Sequence, residues 1–401
     1  MIELLAPAGD LEKLKVAILY GADAVFIGGK KFSLRARASN FGIEEIKEGC
    51  RFAKEHNAKV YVTMNIVPHM EDFAGLEEYV LELVDANVSG VIVTSLAYAN
   101  IIKKIAPNLE LHLSTQFSAS NSETIKMFED FGFKRIVLAR ETSLKQIEEI
   151  KKKTNIDLEV FIHGGMCVAY SGRCMLSNHM TNRDANRGGC AHSCRWNYSL
   201  YQDGILKHSE DEYLNMGSKD LMAVKAITKL IDIGVKSLKI EGRMKSLYYI
   251  ATVVRCYRML IDEYLSTGKI ANYDFYLREI QKAENRQAAT GFLYHKVGPE
   301  EQLYNVRTET PTKEFLGIVL DYDENTNFAT IQQRNYFTLN EEVEFFGPNL
   351  PNTPYVITEM YDEQMNPLDV ARHPKQTIKI KVPFKLKPMD MFRKINLDQD
   401  I

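Results

Sequence analysis

The chain has 401 residues, 45% of them hydrophobic and 26% charged, a balance that excludes a disordered polymer and leaves room for a full core and two domains. Fifty Lys and Arg stand against 53 Asp and Glu, a net charge of −3, which argues against indiscriminate coating of nucleic acid but permits a local basic groove. The six cysteines are too few for a disulfide scaffold, and with neither a secretory leader nor an apolar run of roughly 18 residues a cytoplasmic protein with no membrane partner is expected.

From the first residue, short apolar runs alternate with helical patterns. The runs are IELLAPAG, ADAVFIGG, AKVYVTMN, VSGVIVTS, LELHLSTQ, FKRIVLAR, LEVFIHGG and SLKIEGR. Segments such as LEKLKVAILYG, IEEIKEGCRFAKEHN and LKQIEEIKKKT lie between them, with apolar residues three and four apart as on one helix face. Eight βα units over residues 1–266 predict an α/β fold, a (β/α)8 TIM-type barrel; a doubly wound open sheet is the alternative.

In such a barrel, period-two alternation decides which side chains face the interior, a space normally filled by bulky aliphatics. Here Lys239, Glu241 and Arg243 share one face of the eighth strand, His112, Ser114 and Gln116 one face of the fifth, Glu159, Phe161 and His163 one face of the seventh, and Thr63 and Asn65 one face of the third. Buried charge is costly without partners or a ligand. Glu241, His163, Lys239 and His112 are therefore candidate catalytic residues, and Arg243, Asn65 and Gln116 candidate substrate-binding residues. Arg35 and Arg37, in the loop FSLRARASNFG after the second strand, are a further candidate clamp for an anionic ligand, because a planar guanidinium suits carboxylate or phosphate oxygens. The blander alternatives are a structural Lys239–Glu241 ion pair, a core histidine at 163 and solvated surface arginines.

The seventh unit is overlong, and the excess at about 164–220 carries Cys167, Cys174, Cys190 and Cys194. Long loops inside a compact domain are usually functional, and in this fold βα loops build the site. The cysteines are separated by six, fifteen and three residues. Structural zinc favours ligand pairs two to four residues apart, which only the last pair satisfies, whereas iron–sulfur clusters take four thiolates at looser spacing; spacing alone leaves both open. Cys50 and Cys256 lie in helical patterns and read as buried small hydrophobes.

Residues 267–310 read as a helical and polar connecting region. From 311 to 401 short β runs and turns predict a small all-β, barrel-like domain. Its segment KQTIKIKVPFKLKPMDMFRK alternates cations with apolar residues, and Arg334, Tyr336 and Phe337 fall in a turn-like segment. Small β-barrels bind single strands through such basic grooves and aromatic platforms, so this domain is a candidate RNA-binding module.

The motifs EVFIHGGMC and SGRC, with ELLAPAGDLEKLKVAILYGADAVFIGG, NRGGCAHSCRWNYSL and SLKIEGRMKSLYYIATVVRCYRMLID, resemble the collagenase-like peptidases of family U32 along nearly the whole chain. The resemblance implies that the four cysteines hold a 4Fe-4S cluster, with zinc, in a zinc-stabilised RNA-binding protein, as the alternative. It further implies the branch that hydroxylates the wobble uridine of tRNA to 5-hydroxyuridine without oxygen, with prephenate as co-substrate, the anticodon loop as partner and a paralogous family partner conceivable. Two alternatives come with the family: a peptidase, which would pair Cys167 with His163 since no HExxH or GxSxG occurs, and an oxygen-independent hydroxylase of ubiquinone precursors.

Overall fold

The computed structural model describes residues 2–34, 40–209, 212–283, 286–303 and 315–395; Arg35 and Arg37 lie outside them. The chain divides into two units, Met1–Ile280 with Glu284–Thr310, and Gln281–Ala283 with Pro311–Ile401.

The first unit is a closed barrel of eight parallel strands. They are β1 (Glu3–Pro7), β2 (Ala24–Gly28), β3 (Lys59–Met64), β4 (Gly90–Val93), β5 (Glu110–Leu113), β6 (Arg135–Val137), β7 (Asp157–Gly164) and β8 (Ser237–Ile240). Each pairs with the next, and β8 pairs back onto β1, Glu3 against Ser237 and Leu5 against Lys239. The strands are buried almost throughout and accordingly rich in Val, Ile, Leu and Phe, as parallel strands covered on both faces must be.

The helices are α1 (Leu11–Leu19), α2 (Ile43–Glu55), α3 (Leu76–Asp85), α4 (Leu96–Ile105), α5 (Ser122–Phe131), α6 (Leu144–Lys151), α7 (Leu176–Thr181), α8 (Ile227–Ile233), α9 (Leu247–Thr267) and α10 (Tyr273–Gln281). Side-chain caps set several starts: Asp10, Ser95, Asn121, Ser143 and Ser246 each accept a backbone N–H from the first turn, satisfying a donor the helix leaves open. In α9 most residues through Tyr257 are buried.

Two local features shape the C-terminal end of the barrel. First, the β7–β8 register shifts between Lys239 and Ile240, so that Phe161 pairs with Lys239 but His163 with Ile240. This bulge adds a residue to β7 and reverses its facing beyond Phe161. Second, the insertion returns through the short strand Asp220–Met222, which pairs antiparallel with His163–Gly164. Ala288–Ala289 adds beside that strand and Leu303 N–H donates to the Gly217 carbonyl, so the described residues of 286–303 belong to the barrel unit rather than to a linker.

The second unit is an antiparallel seven-stranded sheet in the order Thr353–Val356, Glu342–Phe346, Met391–Lys394, Phe315–Asp323, Phe328–Gln333, Thr377–Lys381, Met360–Tyr361. Ile331, Phe345, Ile378, Ile380 and Phe392 fill its core. Phe337 is also fully buried there, so it is core and not an exposed stacking platform. Four of the seven cations of the basic segment are paired: Lys381 with Glu359 at 3.0 Å, Arg393 with Glu344 at 2.5 Å, Lys385 with Glu324 and Lys394 with Glu341.

Candidate functional site

The barrel interior begins with a layer of charge. Glu3 accepts from Arg135 at 2.5 Å, Arg135 also reaches Glu159 at 3.1 Å, and Lys239 donates to Glu159 at 2.7 Å. Ser237 Oγ and Tyr61 OH add bonds to Glu3. Burial by itself would raise the Glu159 carboxyl, but the Lys239 and Arg135 charges outweigh it and hold it at about 2. Two carboxylates face two cations here, the pairing that burial of charge demands.

Above the charged layer, at the C-terminal strand ends, opens a cavity of about 540 Å³. Lys239, Glu241, Arg243, Asn65 and Gln116 all line it, as do Arg140, Phe161, Arg183, Arg195, Lys245 and Arg286. Lys239 spans both levels, bonded to Glu159 and lying over Phe26 and Phe161 at 4.5 and 5.3 Å. Arg243 Nη1 donates to Ser33 Oγ and Thr63 Oγ1, both at 2.9 Å, and Nη2 donates to the Leu34 carbonyl. Gly28 makes room for it: a Cβ there would stand 2.1 Å from Arg243 Nη1. The Asn65 amide donates to Gln116 at 3.2 Å. Arg140, which alternation along the sixth run did not single out because it follows the strand end, stacks on Phe161 at 3.9 Å and reaches Glu241 at 3.5 Å. Seven lysines and arginines line the cavity against one carboxylate, Glu241, among the described residues.

The two histidines stand apart from this cavity. His112 belongs to the charged layer: it is fully buried, packs against Tyr61 with ring centroids 4.6 Å apart and the planes tilted by 56°, and meets Glu110 Oε2 at 3.2 Å; burial pushes its pKa down. His163, turned outward by the bulge, packs against α9, where the Tyr257 hydroxyl is 3.3 Å from its Nδ1. Burial pushes it down to about 3, with Lys245 adding to the effect, so it is neutral across the physiological range. Neither lines the cavity, and the expected convergence of both on one interior site is corrected by the bulge and by the depth of His112. The Cys167–His163 pairing required by a cysteine peptidase is not assembled.

All four cysteines of the insertion line the cavity, and none is in a disulfide. Asn186 ties down both backbone groups of Cys174, Ser177 Oγ accepts from Ala191 and donates to Gly189 on either side of Cys190, and Met216 N–H bonds the Cys194 carbonyl. Burial raises the Cys167 and Cys194 thiols, and neighbouring cysteines raise each further, so the four sulfurs feel one another. Among the described residues, no three His, Cys, Asp or Glu side chains stand close enough to hold a single metal ion. Ser193 Oγ, beside Cys194 and buried in the cavity wall, has no hydrogen-bond partner. Four free thiols around one cavity with a buried hydroxyl among them fit a group with several acceptor atoms, such as a multi-iron cluster, better than a preassembled tetrahedral cage.

No helix among the described residues is long and apolar enough to cross a membrane. The chain is 51% identical over 398 residues to a "tRNA hydroxylation protein P1" of Bacillus subtilis (strain 168), covering 98% of this chain and 94% of that one. It is 41% identical over 262 residues to the 23S rRNA 5-hydroxycytidine C2501 synthase of Escherichia coli (strain K12), 65% of this chain and 39% of that one. It is 31% identical over 412 residues to a Collagenase of Porphyromonas gingivalis (strain ATCC BAA-308 / W83), covering 97% and 96%. Residues 9–303 match peptidase family U32 and residues 311–393 its C-terminal domain: an eight-stranded barrel with four cysteines at its mouth, followed in sequence by an all-β domain, belongs in this chain to peptidase family U32.

Proposed function

We propose that this protein hydroxylates a pyrimidine base of RNA, specifically C5 of the wobble uridine in tRNA, without molecular oxygen and with prephenate as co-substrate. The observation that carries this reading is the convergence of four cysteines and a cation-rich wall on one cavity at the barrel mouth. The relatives named for tRNA and rRNA hydroxylation support an RNA base as substrate. A cytoplasmic site of action and pairing with a family paralogue belong to the same proposal.

Cys167, Cys174, Cys190 and Cys194 would hold a 4Fe-4S cluster, which supplies one-electron chemistry beside the substrate. The chain's own residues do the rest. Arg140 and Arg243 present planar guanidinium groups to the carboxylates of the co-substrate. The Asn65–Gln116 amide pair offers donor and acceptor groups to a pyrimidine edge. Glu241, 3.5 Å from Arg140, is the carboxylate placed to hold a proton beside the ring. Lys239, bonded to Glu159, forms the floor beneath the base.

The test has two arms. Protein purified without oxygen is expected to carry about four irons and four acid-labile sulfides per chain, lost in Cys190→Ala; one zinc and no sulfide would overturn the cluster. Nucleoside analysis of tRNA from a deletion strain should show 5-hydroxyuridine-type modifications gone, and their persistence sinks the hydroxylation reading. Cleavage of gelatin by the metal-free protein would favour the peptidase instead.

A further inference from the structure

The cysteine insertion is tied to the barrel by a contact that the proposed reaction does not use. Ser171, between Cys167 and Cys174 in sequence, is 1% exposed. It adopts φ 49°, ψ 31°, and Gly172 follows at φ +81°. A residue with a Cβ keeps a left-handed conformation only where its surroundings impose it. Glu141 imposes it here: Oε1 accepts the Ser171 backbone N–H and Oε2 accepts the Ser171 hydroxyl, both at 2.7 Å. Two charge-assisted bonds to one residue fix its peptide and its side chain together.

The turn that carries Glu141, just after β6, is itself held on several sides. Leu138 N–H donates to the Glu159 carbonyl, Ala139 N–H to the Ala119 carbonyl and Thr142 N–H to the Ala139 carbonyl, while Thr115 Oγ1 donates to the Leu138 carbonyl. The same turn delivers Arg140 to the cavity wall, where its carboxylate partner is Glu241. Adjacent residues of one rigid turn therefore serve the cavity and the insertion separately. The span between the two cysteines is pinned again nearby: Arg173 Nε donates to the Gln116 carbonyl at 2.5 Å, and Asn186 holds both backbone groups of Cys174.

We infer that Glu141 is a positioning residue for the iron–sulfur group: by fixing Ser171 it sets where the Cys167–Cys174 span presents its thiols, from the turn that also presents Arg140. This rests on the cluster proposed above. Groups that orient the ligands of a metal govern how firmly it is kept and its electronic character, and a cluster needs its thiolates in a fixed arrangement.

The test uses full-length protein purified without oxygen. Iron and sulfide content, the rate of cluster loss to a chelator, the electron paramagnetic resonance spectrum of the reduced form and the melting temperature of the apoprotein are compared across variants. Glu141→Ala is expected to assemble a cluster but to lose it about tenfold faster than wild type, with an altered resonance spectrum, while its apoprotein melts within about 4 °C of wild type. Glu141→Gln keeps an acceptor for the N–H and offers a donor to the hydroxyl, so it should stay within about threefold of wild type. Ser171→Ala loses only the hydroxyl bond and should release the cluster about threefold faster; it decides the matter if Glu141→Ala does not fold. A wild-type cluster matched by Glu141→Ala and Ser171→Ala in loss rate and spectrum would overturn this role and leave the cluster standing. Wild type without iron and sulfide would sink both. An unchanged spectrum in Glu141→Ala beside an apoprotein that melts more than about 10 °C lower would make the contact a tether of the fold and overturn the positioning role.

Discussion

The charged layer inside the barrel and the cavity wall above it handle charge in opposite ways. Below, Glu3 and Glu159 face Arg135 and Lys239, bonded within 2.5 to 3.1 Å. Above, the wall carries seven cations and one carboxylate, with Lys239 and Arg286 paired to Glu159 and Asp220 outside it. A closed ionic set is a structural solution, because any excess charge sealed from water costs several kcal/mol; an open imbalance in a solvent-connected cavity is tolerable and attracts anions. The contrast separates residues that hold the barrel together from those that meet the substrate, although both lie on the same strands. Lys239 is the hinge between the two levels.

The sharpest way to break this contrast is to remove a carboxylate from the closed layer. Glu159→Ala leaves Arg135 and Lys239 buried around a hole, and should lower barrel stability by about 3 to 5 kcal/mol, a fall of roughly 10 °C in the barrel melting transition. A melting temperature within a degree or two of wild type would show the layer to be dispensable. The opposite pattern is expected for the wall. Arg140→Ala should cut kcat/KM for RNA hydroxylation by about 100-fold while shifting stability by no more than about 1 kcal/mol, and Arg140→Lys should recover little because the planar fork is lost.

The most gradual effect is in pH. Glu159 is held at about 2 and His163 at about 3, both below their unfolded values of roughly 4.3 and 6.5. In each case the unfolded chain binds the proton more readily, so the stabilisation is complete above the unfolded pKa and is lost as pH falls toward the folded one. Barrel stability should decline by about 1 kcal/mol per pH unit below roughly 6.5, and more steeply below roughly 4.3 as Glu159 joins. His163→Asn should flatten the upper part of that decline while leaving the lower part, as measured by thermal unfolding across pH.

Much of the site was legible because alternation is enforced by the pleat. Lys239, Glu241 and Arg243, and Asn65 with Gln116, reach the cavity as their parity requires. His163 escaped that logic because one extra residue in β7 flips everything beyond it. Gly164 at the strand end carries the trace of this: it adopts φ +102°, and a Cβ there would meet the Glu241 carbonyl at 2.3 Å. Glu3 and Arg135, each at the first residue of its strand, were readable in principle as charges at interior positions of apolar runs. Arg140 was not, since it lies in the turn after β6, where no periodicity applies.

The linear chain alone determined the eight βα units, the family and the clustering of four cysteines, because hydrophobic periodicity, helix caps and motif spacing are local properties. Only the tertiary structure decided which charges cancel and which remain. Glu3, Arg135 and Glu159 meet across a barrel interior that no local pattern describes, and Arg393 of the C-terminal domain finds Glu344 on the neighbouring strand. Whether a lysine binds RNA or closes an ion pair depends on what stands within about 4 Å of it, and that distance is a property of the fold.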